Sequence, residues 1–267
     1  MSALHWHEFG QGEKTVLFLH GFMGSGEEWR PIIETLGPAI HGLCPDLPGH
    51  GRTQAAEGAA GHSVETCIEG LLQGLDERGV AQCPVVGYSM GGRVALQFTL
   101  RHPSRVQRLV LESASPGIED ETQRAVRRAR DAQMAGELRA LQDNREGFRA
   151  FLDEWYRHPM FASLEKQPAL RAALIETRLD NSPDGLAESL LGMGAGAQSS
   201  LWRDLGSLSC PTLVIVGNLD RKYRLVGEQI SESHSSIALY EMNECGHNVH
   251  LENPAAFTTV LRPFLLA

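Results

Sequence analysis

The residue with the clearest chemical potential is Ser89, which stands between glycines in the run Gly87-Tyr88-Ser89-Met90-Gly91. The apolar pair Val85-Val86 precedes this run, and a stretch with helical character follows it. A Gly-x-Ser-x-Gly pattern in that setting predicts a sharp turn between a strand and a helix, with the serine hydroxyl exposed at its tip. The pattern is short enough to occur by chance, so the interpretation depends on finding partners for Ser89.

A serine hydroxyl is a weak nucleophile or base unless an imidazole takes its proton, and the imidazole needs an acid to hold its tautomer. Two downstream residues follow apolar runs in the order acid, then base: Asp220 comes after Val214-Ile215-Val216-Gly217, and His247 comes after Ile237-Ala238-Leu239-Tyr240. The carboxyl ends of parallel strands gather at one edge of a sheet. The sequence therefore predicts a triad of Ser89, Asp220 and His247.

Each member of the triad has a competing interpretation. Asp220 is also typical of a turn that opens a helix. His250 rivals His247 as the base, and the two could share a metal ion, but no His-Glu-x-x-His pattern or third ligand accompanies them. We therefore expect no metal, and we interpret His250 as a core histidine or as one that supports His247.

A developing negative charge on oxygen needs hydrogen-bond donors beside the serine. His20-Gly21 ends a strand at the place where such a donor is expected, although a lone histidine is more often structural. We predict that the backbone N–H groups of Phe22 and Met90 form this oxyanion hole.

Arg93 follows Ser89 by four positions on the predicted helix, which is one turn, or about 6 Å along the axis. Helical side chains lean back toward the N-terminus, so the Arg93 guanidinium can reach the Ser89 pocket. An unpaired arginine packed against a sheet is costly. Its partner is either a structural carboxylate or an anionic substrate, and arginine binds carboxylates in a two-pronged manner.

Short β-type runs alternate with helix-length segments over most of the chain, which predicts an α/β fold: a mostly parallel sheet with helices on both faces. The predicted strands are 15–19, 42–44, 85–88, 108–112, 212–217 and 237–240, with Ser63 capping a helix that ends near Arg78. The alternation stops between about 115 and 208. We expect a core of residues 1–114 and 209–267 and a helical cap insertion of residues 115–208.

Composition limits the function classes. The 267 residues are 42% hydrophobic and 21% charged, with no apolar run of the roughly 18 residues that a membrane span needs. No signal peptide is recognisable, so a cytoplasmic location is expected, and the five scattered cysteines indicate neither disulfides nor zinc. A net charge of −9 disfavours nucleic acid and anionic membranes as partners. We expect a monomer or small homo-oligomer.

No cofactor is expected either. The run Gly192-Met193-Gly194-Ala195-Gly196 resembles a dinucleotide-binding loop, but it lies within the insertion and does not follow a strand.

Several motifs together resemble a known family. Those shared with α/β-hydrolase-fold proteins in general are 19–25 (LHGFMGS), 46–51 (DLPGHG) and 87–93 (GYSMGGR); those in the insertion and near the C-terminus are 155–164 (WYRHPMFASL), 178–187 (RLDNSPDGLA), 192–198 (GMGAGAQ) and 246–254 (GHNVHLENP). The second set is similar to the 2-succinyl-6-hydroxy-2,4-cyclohexadiene-1-carboxylate synthase family of menaquinone biosynthesis. The resemblance extends from about Val16 to Pro254.

This resemblance implies the α/β-hydrolase fold and a lyase that eliminates pyruvate from a substrate with three carboxylates, with Ser89, activated by His247, removing a ring proton. It also implies a substrate pocket formed by five residues: Arg93, Arg127, Arg178, Tyr88 and Trp155. Arg124, Arg128 and Arg130 rival Arg127 for its place. The chain departs from the family pattern at Ala195, Asn218 and Arg221, which affects the detail of the pocket and not the triad.

Two other function classes stay open. A carboxylesterase or carbon–carbon bond hydrolase of the same fold would keep the triad but would not need Arg93, Arg127 and Arg178 together. A non-catalytic receptor for a small anion would keep the fold and need no working Ser89.

Overall fold

A computed structural model describes residues 4–53 and 59–267, so positions 1–3 and 54–58 of the predicted core lie outside the described residues. Seven strands form one sheet in the order β1-β3-β2-β4-β5-β6-β7. The strands are β1 Trp6–Phe9, β2 Lys14–Leu19, β3 Ile40–Pro45, β4 Cys83–Tyr88, β5 Val106–Glu112, β6 Thr212–Gly217 and β7 Ile237–Met242. Every neighbouring pair is parallel except β1 with β3, which confirms the predicted α/β class.

The central strands β4 and β6 are buried along their whole length. Strands of this kind are covered on both faces, which explains why their sequences are continuous apolar runs. The edge strand β1 was not predicted. Its sequence, Trp6-His7-Glu8-Phe9, has no apolar run, and it pairs antiparallel with β3 from Trp6 opposite Pro45 to Phe9 opposite Gly42.

Six helices lie in the predicted core range: α1 Arg30–Leu36, α2 Val64–Glu77, α3 Met90–Arg101, α8 Arg221–Ser233, α9 Val249–Glu252 and α10 Pro254–Leu266. Apolar side chains of α2, α3 and α8 form a core on one face of the sheet, and those of α1 and α10 form another core on the opposite face. Ser63 caps α2, as predicted, because its hydroxyl accepts the Thr66 N–H at 3.1 Å. Among the described residues, no helix combines the length and the apolarity needed to cross a membrane.

Between β5 and β6 the chain forms helices and no strand, as expected for the insertion: α4 Glu121–Arg139, α5 Arg145–Trp155, α6 Pro168–Arg178 and α7 Pro183–Met193. These helices share an apolar cluster of their own, which also takes in Met23 from the loop after β2. The division of the chain at 114/115 and 208/209 stays a prediction.

The turn from β4 into α3 depends on close backbone contacts. A Cβ atom added at Gly91 would lie 2.3 Å from the Leu19 carbonyl oxygen and 2.4 Å from that of His20. Because both obstacles are backbone atoms of a central strand and the turn after it, they cannot move aside cheaply. Glycine at position 91 therefore allows α3 to approach the sheet.

We expect Gly91→Ala to lower the free energy of unfolding by about 3 kcal/mol, because the added methyl group forces α3 away from β2. Gly136→Ala is the matched control: no atom lies within 4 Å of the added Cβ, so the change should stabilise the α4 helix by roughly 0.5–1 kcal/mol. Urea unfolding of both variants measures the difference. Equal effects of the two substitutions would contradict the close approach.

Candidate active site

Ser89 occupies the tip of the turn between β4 and α3 with a backbone conformation that few residues other than glycine adopt, φ 49° and ψ −107°. Such a conformation costs about 1–2 kcal/mol and persists only where the surroundings enforce it. The Ser89 N–H donates to the Glu112 carbonyl at 2.8 Å, and this bond ties the turn to the neighbouring strand β5. The turn thus presents the side chain at the carboxyl edge of the sheet.

The structure brings Ser89, His247 and Asp220 together in one hydrogen-bonded line. His247 Nε2 lies 3.0 Å from Ser89 Oγ, and His247 Nδ1 lies 2.7 Å from Asp220 Oδ2. An ionised carboxylate only accepts, so Nδ1 carries the proton and Nε2 is free to accept the serine proton. In geometry, this is the arrangement of a nucleophile or base activated by imidazole.

Asp220 makes both of the contacts that its sequence position indicated. Its Oδ1 accepts the N–H of Tyr223 at 3.2 Å and so caps α8, while its Oδ2 binds His247. The ring of Tyr223 packs beside the His247 ring, with 4.6 Å between the ring centroids. The ring of Phe161 packs edge-on against the same imidazole, with 5.8 Å between the centroids. The imidazole is therefore almost completely shielded from water and is held in one orientation.

The Gly21–Phe22 peptide has the constraints expected of an oxyanion donor. The Gly21 carbonyl accepts His20 Nδ1–H at 2.8 Å and Gly24 N–H at 3.0 Å, so the Phe22 N–H projects from the opposite side of this trans peptide. His20 Nε2 accepts from Leu47 N–H, which fixes the proton on Nδ1, and burial lowers the pKa of His20. His20 is thus a buried structural residue that orients the Phe22 peptide.

Met90 is the first residue of α3, where backbone N–H groups have no partner within the helix. Both Met90 and Phe22 border the same cavity as Ser89. The two residues predicted to supply the donors therefore border the space into which Ser89 opens.

This Ser89 cavity has a volume of about 400 Å³. Its wall combines apolar side chains with several cationic groups: Phe22, Met90, Met134, Trp155, Met160, Leu190 and Tyr223, together with Arg93, Arg127, Arg130 and Lys222. Trp155 lies in the wall as the family resemblance implied, with its ring 5.9 Å from that of Phe22. The one carboxylate among the described lining residues is that of Asp131.

Arg93 reaches the cavity, and its hydrogen-bond partner is neutral. Its Nη1 donates to Gln198 Oε1 at 2.8 Å, and none of the described carboxylates forms an ion pair with it. Burial lowers the pKa of Arg93 to about 10. The sequence left two possible partners for Arg93, a structural carboxylate or an anionic substrate. No structural carboxylate pairs with Arg93 among the described residues.

Four of the five arginines of α4 divide into two groups. Arg124 and Arg128 pair with Glu121 on the outside of the helix, whereas Arg127 and Arg130 line the Ser89 cavity. Arg127 forms an ion pair with a lining carboxylate, because its Nε donates to Asp131 Oδ1 at 2.7 Å.

Arg178, which the family resemblance implied as a substrate-binding residue, is not among the described residues that line the Ser89 cavity. Its Nη2 is 2.7 Å from Glu28 Oε2, both side chains are about 5% exposed, and its Nε donates to the Tyr156 hydroxyl at 3.3 Å. Burial alone would lower the pKa of Arg178, but Tyr156 and Glu28 raise it above its usual value. Arg178 lines a second cavity, on the side of α1 and α6, and the geometry does not support contact with a substrate at Ser89.

Tyr88, which the resemblance implied in the pocket wall, has buried contacts of another kind. Its ring packs against Gly21, and its hydroxyl donates to Asn248 Oδ1 beneath the triad. Burial raises the pKa of Tyr88 well above its usual value. Tyr88 therefore supports the loop that carries His247 and is not among the described residues that line the cavity.

His250 is a core residue, in line with our interpretation. It is fully buried, and its Nδ1 lies 2.8 Å from Glu112 Oε1. Another histidine pair was not singled out from the sequence: nitrogen atoms of His5 and His7 and a carboxylate oxygen of Asp46 lie within 4.8 Å of one another.

Hydrogen bonds hold the carboxylate of this second cluster in place. Burial acts to raise the pKa of Asp46, but bonds from His7 and from the Arg52 and Gly26 N–H groups outweigh it and lower that pKa to about 2. Asp46 thus holds the loop after β3 against β1.

Sequence reasoning missed Gln198, Tyr223 and Lys222. Gln198 ends the glycine-rich run 192–198, which carries part of the family resemblance but gave Gln198 itself no predicted role, and that run supplies Gly194 and Ala195 to the cavity wall. Tyr223 could have been found, because a residue three positions after a helix-capping Asp220 returns to the same side of the helix.

Comparison with known proteins agrees with this fold. A family model described as alpha/beta hydrolase fold matches residues 14–254. A 2-succinyl-6-hydroxy-2,4-cyclohexadiene-1-carboxylate synthase from Serratia proteamaculans is 34% identical over 252 residues, which cover 94% of this chain and 92% of that protein. A protein of the same name from Salmonella schwarzengrund is 34% identical, with 97% of each chain covered.

Among solved structures, MenH from S. aureus superposes with a TM-score of 0.89 at 28% identity and covers 98% of both chains. The fold and the site geometry define a member of the α/β-hydrolase superfamily. Within that superfamily, the chain belongs to the 2-succinyl-6-hydroxy-2,4-cyclohexadiene-1-carboxylate synthase family.

If Arg178 neutralises Glu28 and does not bind substrate, its loss should act on stability. We expect Arg178→Met to lower the free energy of unfolding by about 3 kcal/mol, because the buried Glu28 charge loses its partner. Adding Glu28→Gln should recover part of this loss, with a coupling energy of about 1–3 kcal/mol in a double-mutant cycle. An Arg178→Met protein of native stability with a strongly raised KM would return Arg178 to the substrate pocket.

Proposed function

We propose that this protein eliminates pyruvate from 2-succinyl-5-enolpyruvyl-6-hydroxy-3-cyclohexene-1-carboxylate to give 2-succinyl-6-hydroxy-2,4-cyclohexadiene-1-carboxylate, a step of menaquinone biosynthesis. The observation that carries the proposal is the bonded line from Asp220 through His247 to Ser89, which opens into a cavity lined by four cationic side chains. Membership of the synthase family supports it.

The reaction needs a base at one ring carbon. The hydrogen on C2 is acidified by the ketone of the succinyl group, and we assign its removal to Ser89 Oγ, which passes its own proton to His247 Nε2. The electron pair forms the C2–C3 double bond, the ring double bond moves to C4–C5, and the C5–oxygen bond breaks. The enolpyruvyl group leaves as the enolate of pyruvate, takes up the proton and becomes pyruvate, so no water is consumed.

We assign the stabilisation of the developing charge to the N–H groups of Phe22 and Met90. As the C2 proton leaves, negative charge grows on the succinyl ketone oxygen, and donors fixed before the reaction stabilise that charge without reorganising. Asp220 would hold His247 in the required tautomer and stabilise the imidazolium that forms.

Charge complementarity supports this choice of substrate. The substrate carries three carboxylates, and the protein as a whole is acidic, with a net charge of −9. Local cations must therefore collect the substrate. We propose that its carboxylates contact Arg93, Arg127 and Arg130, with Arg130 in the place that the resemblance gave to Arg178, and that Trp155 packs against the ring.

The partner expected from this chemistry is a small organic anion. A cytoplasmic location and a monomeric or small homo-oligomeric state remain predictions from the sequence.

Pyruvate release from the enolpyruvyl substrate tests the proposal. We expect Ser89→Ala to lower kcat by at least about 10³-fold, because the base is lost. Arg93→Ala should lower kcat/KM about 30- to 100-fold, which corresponds to losing one charge-assisted contact of roughly 2–3 kcal/mol. Arg149→Ala is the control, because Arg149 is an exposed residue of the insertion that pairs with Glu176, and it should leave both constants unchanged.

The same proteins distinguish the alternative functions. Rapid hydrolysis of neutral p-nitrophenyl esters without pyruvate release would identify an esterase, since a neutral ester needs the triad and no cation-rich cavity. Tight binding of the tricarboxylate that is unaffected by Ser89→Ala, with no turnover by the native protein, would identify a receptor.

A further inference from the structure

We propose that Asn181, in the link between α6 and α7, is a positioning residue through which the helical insertion holds the Phe22 turn in its working geometry. The inference rests on the proposed function, because the turn matters to catalysis only if the Phe22 N–H binds a developing oxyanion.

The Phe22 turn comprises residues 21–24 and is closed by a hydrogen bond from Gly24 N–H to the Gly21 carbonyl at 3.0 Å. Phe22 and Met23 are its two central residues, and Met23 has a φ of 66°. Position three of such a turn normally carries glycine or asparagine, because other side chains are strained there. A turn with methionine at this position needs contacts from outside to keep it in place.

Asn181 supplies such a contact through its side-chain amide nitrogen, and both polar atoms of that side chain form hydrogen bonds. Its Nδ2 donates to the Met23 carbonyl at 2.9 Å and to the Arg178 carbonyl at 3.1 Å, while its Oδ1 accepts the Gly51 N–H at 2.8 Å. The side chain is buried. The Met23–Gly24 peptide is thus anchored at both ends, its oxygen by Asn181 and its N–H by Gly21.

The Arg178–Glu28 pair holds the same turn from a second side. A Cβ atom added at Gly24 would lie 2.8 Å from Glu28 Oε2, so the carboxylate packs directly on the turn. The Arg178 guanidinium fixes that carboxylate, and the Arg178 carbonyl accepts from Asn181. The end of α6 and the residues that follow it therefore hold the turn in place through two side chains, the charged Arg178 and the neutral Asn181.

The two substitutions Asn181→Asp and Asn181→Ala test this role. Aspartate keeps the side-chain volume and the acceptor for Gly51 but loses the donor, and it places a carboxylate oxygen against the Met23 carbonyl. We expect both variants to lower kcat for pyruvate release about 10- to 100-fold, somewhat less than deletion of an oxyanion donor itself. KM should change less than about threefold, because Asn181 is not among the described residues that line the Ser89 cavity.

Asn144→Ala is the matched control. Asn144 lies in the same insertion and loses one comparable bond, its Oδ1 to the Gly147 N–H at 2.9 Å, but it does not touch the turn. It should lower the thermal midpoint and leave kcat unchanged. A structural role for Asn181 alone would give the same result as Asn144→Ala, with native kcat per folded molecule.

A second readout does not require turnover. In protein labelled with ¹⁵N-phenylalanine, the Phe22 amide resonance should shift in Asn181→Asp and keep its native position in Asn144→Ala. Native kcat in Asn181→Asp, or an unmoved Phe22 resonance, overturns the proposal. If the native protein releases no pyruvate, the proposed function fails, while the resonance still decides whether Asn181 sets the turn.

Discussion

The site depends on the close approach of α3 to the central sheet. Because Gly91 lets the helix backbone pack against the carbonyl groups of Leu19 and His20, the β4–α3 turn can be sharp enough to project Ser89 above the sheet edge. The same approach places the start of α3 beside His20 and the Phe22 turn. One steric constraint therefore determines the position of Ser89, the position of one residue predicted to supply an oxyanion donor, and the side on which His247 approaches the serine.

The parts of the fold that were predicted correctly are those with strong local signals. Apolar runs located six of the seven strands, and glycine spacing located the turn at Ser89, since both patterns report on burial and backbone geometry of neighbouring residues. Strand β1 was not predicted, because its residues are mixed in polarity and its partner strand β3 is distant in sequence, with Pro45 opposite Trp6. The proximity of Ser89, Asp220 and His247 could be predicted because the carboxyl ends of strands in a parallel sheet converge.

Arg178 shows what local patterns and family resemblance leave open. Its sequence neighbourhood matches the synthase motif, but its charge is already satisfied by Glu28, 150 residues away. A family resemblance assigns a role to a position in the sequence, but it does not say which charged groups surround that position in the fold. The structure separates the arginines by this balance: Arg178 pairs with a buried carboxylate, and Arg127 shares Asp131 with a backbone N–H. Among the described residues, the hydrogen-bond partner of Arg93 is the neutral amide of Gln198.

This difference in how the three arginines are paired bears on how a hydrolase scaffold can support an elimination. The line of Ser89, His247 and Asp220 suits acyl transfer and proton abstraction equally, because in both the serine oxygen gives its proton to the same nitrogen. The choice lies in what the cavity holds within reach of that oxygen. Arg93, one helical turn beyond Ser89 and without a carboxylate partner among the described residues, retains a positive charge that only an anion can balance. A substrate held by its carboxylates presents an acidic C–H to Ser89, whereas a neutral ester gains nothing from that charge.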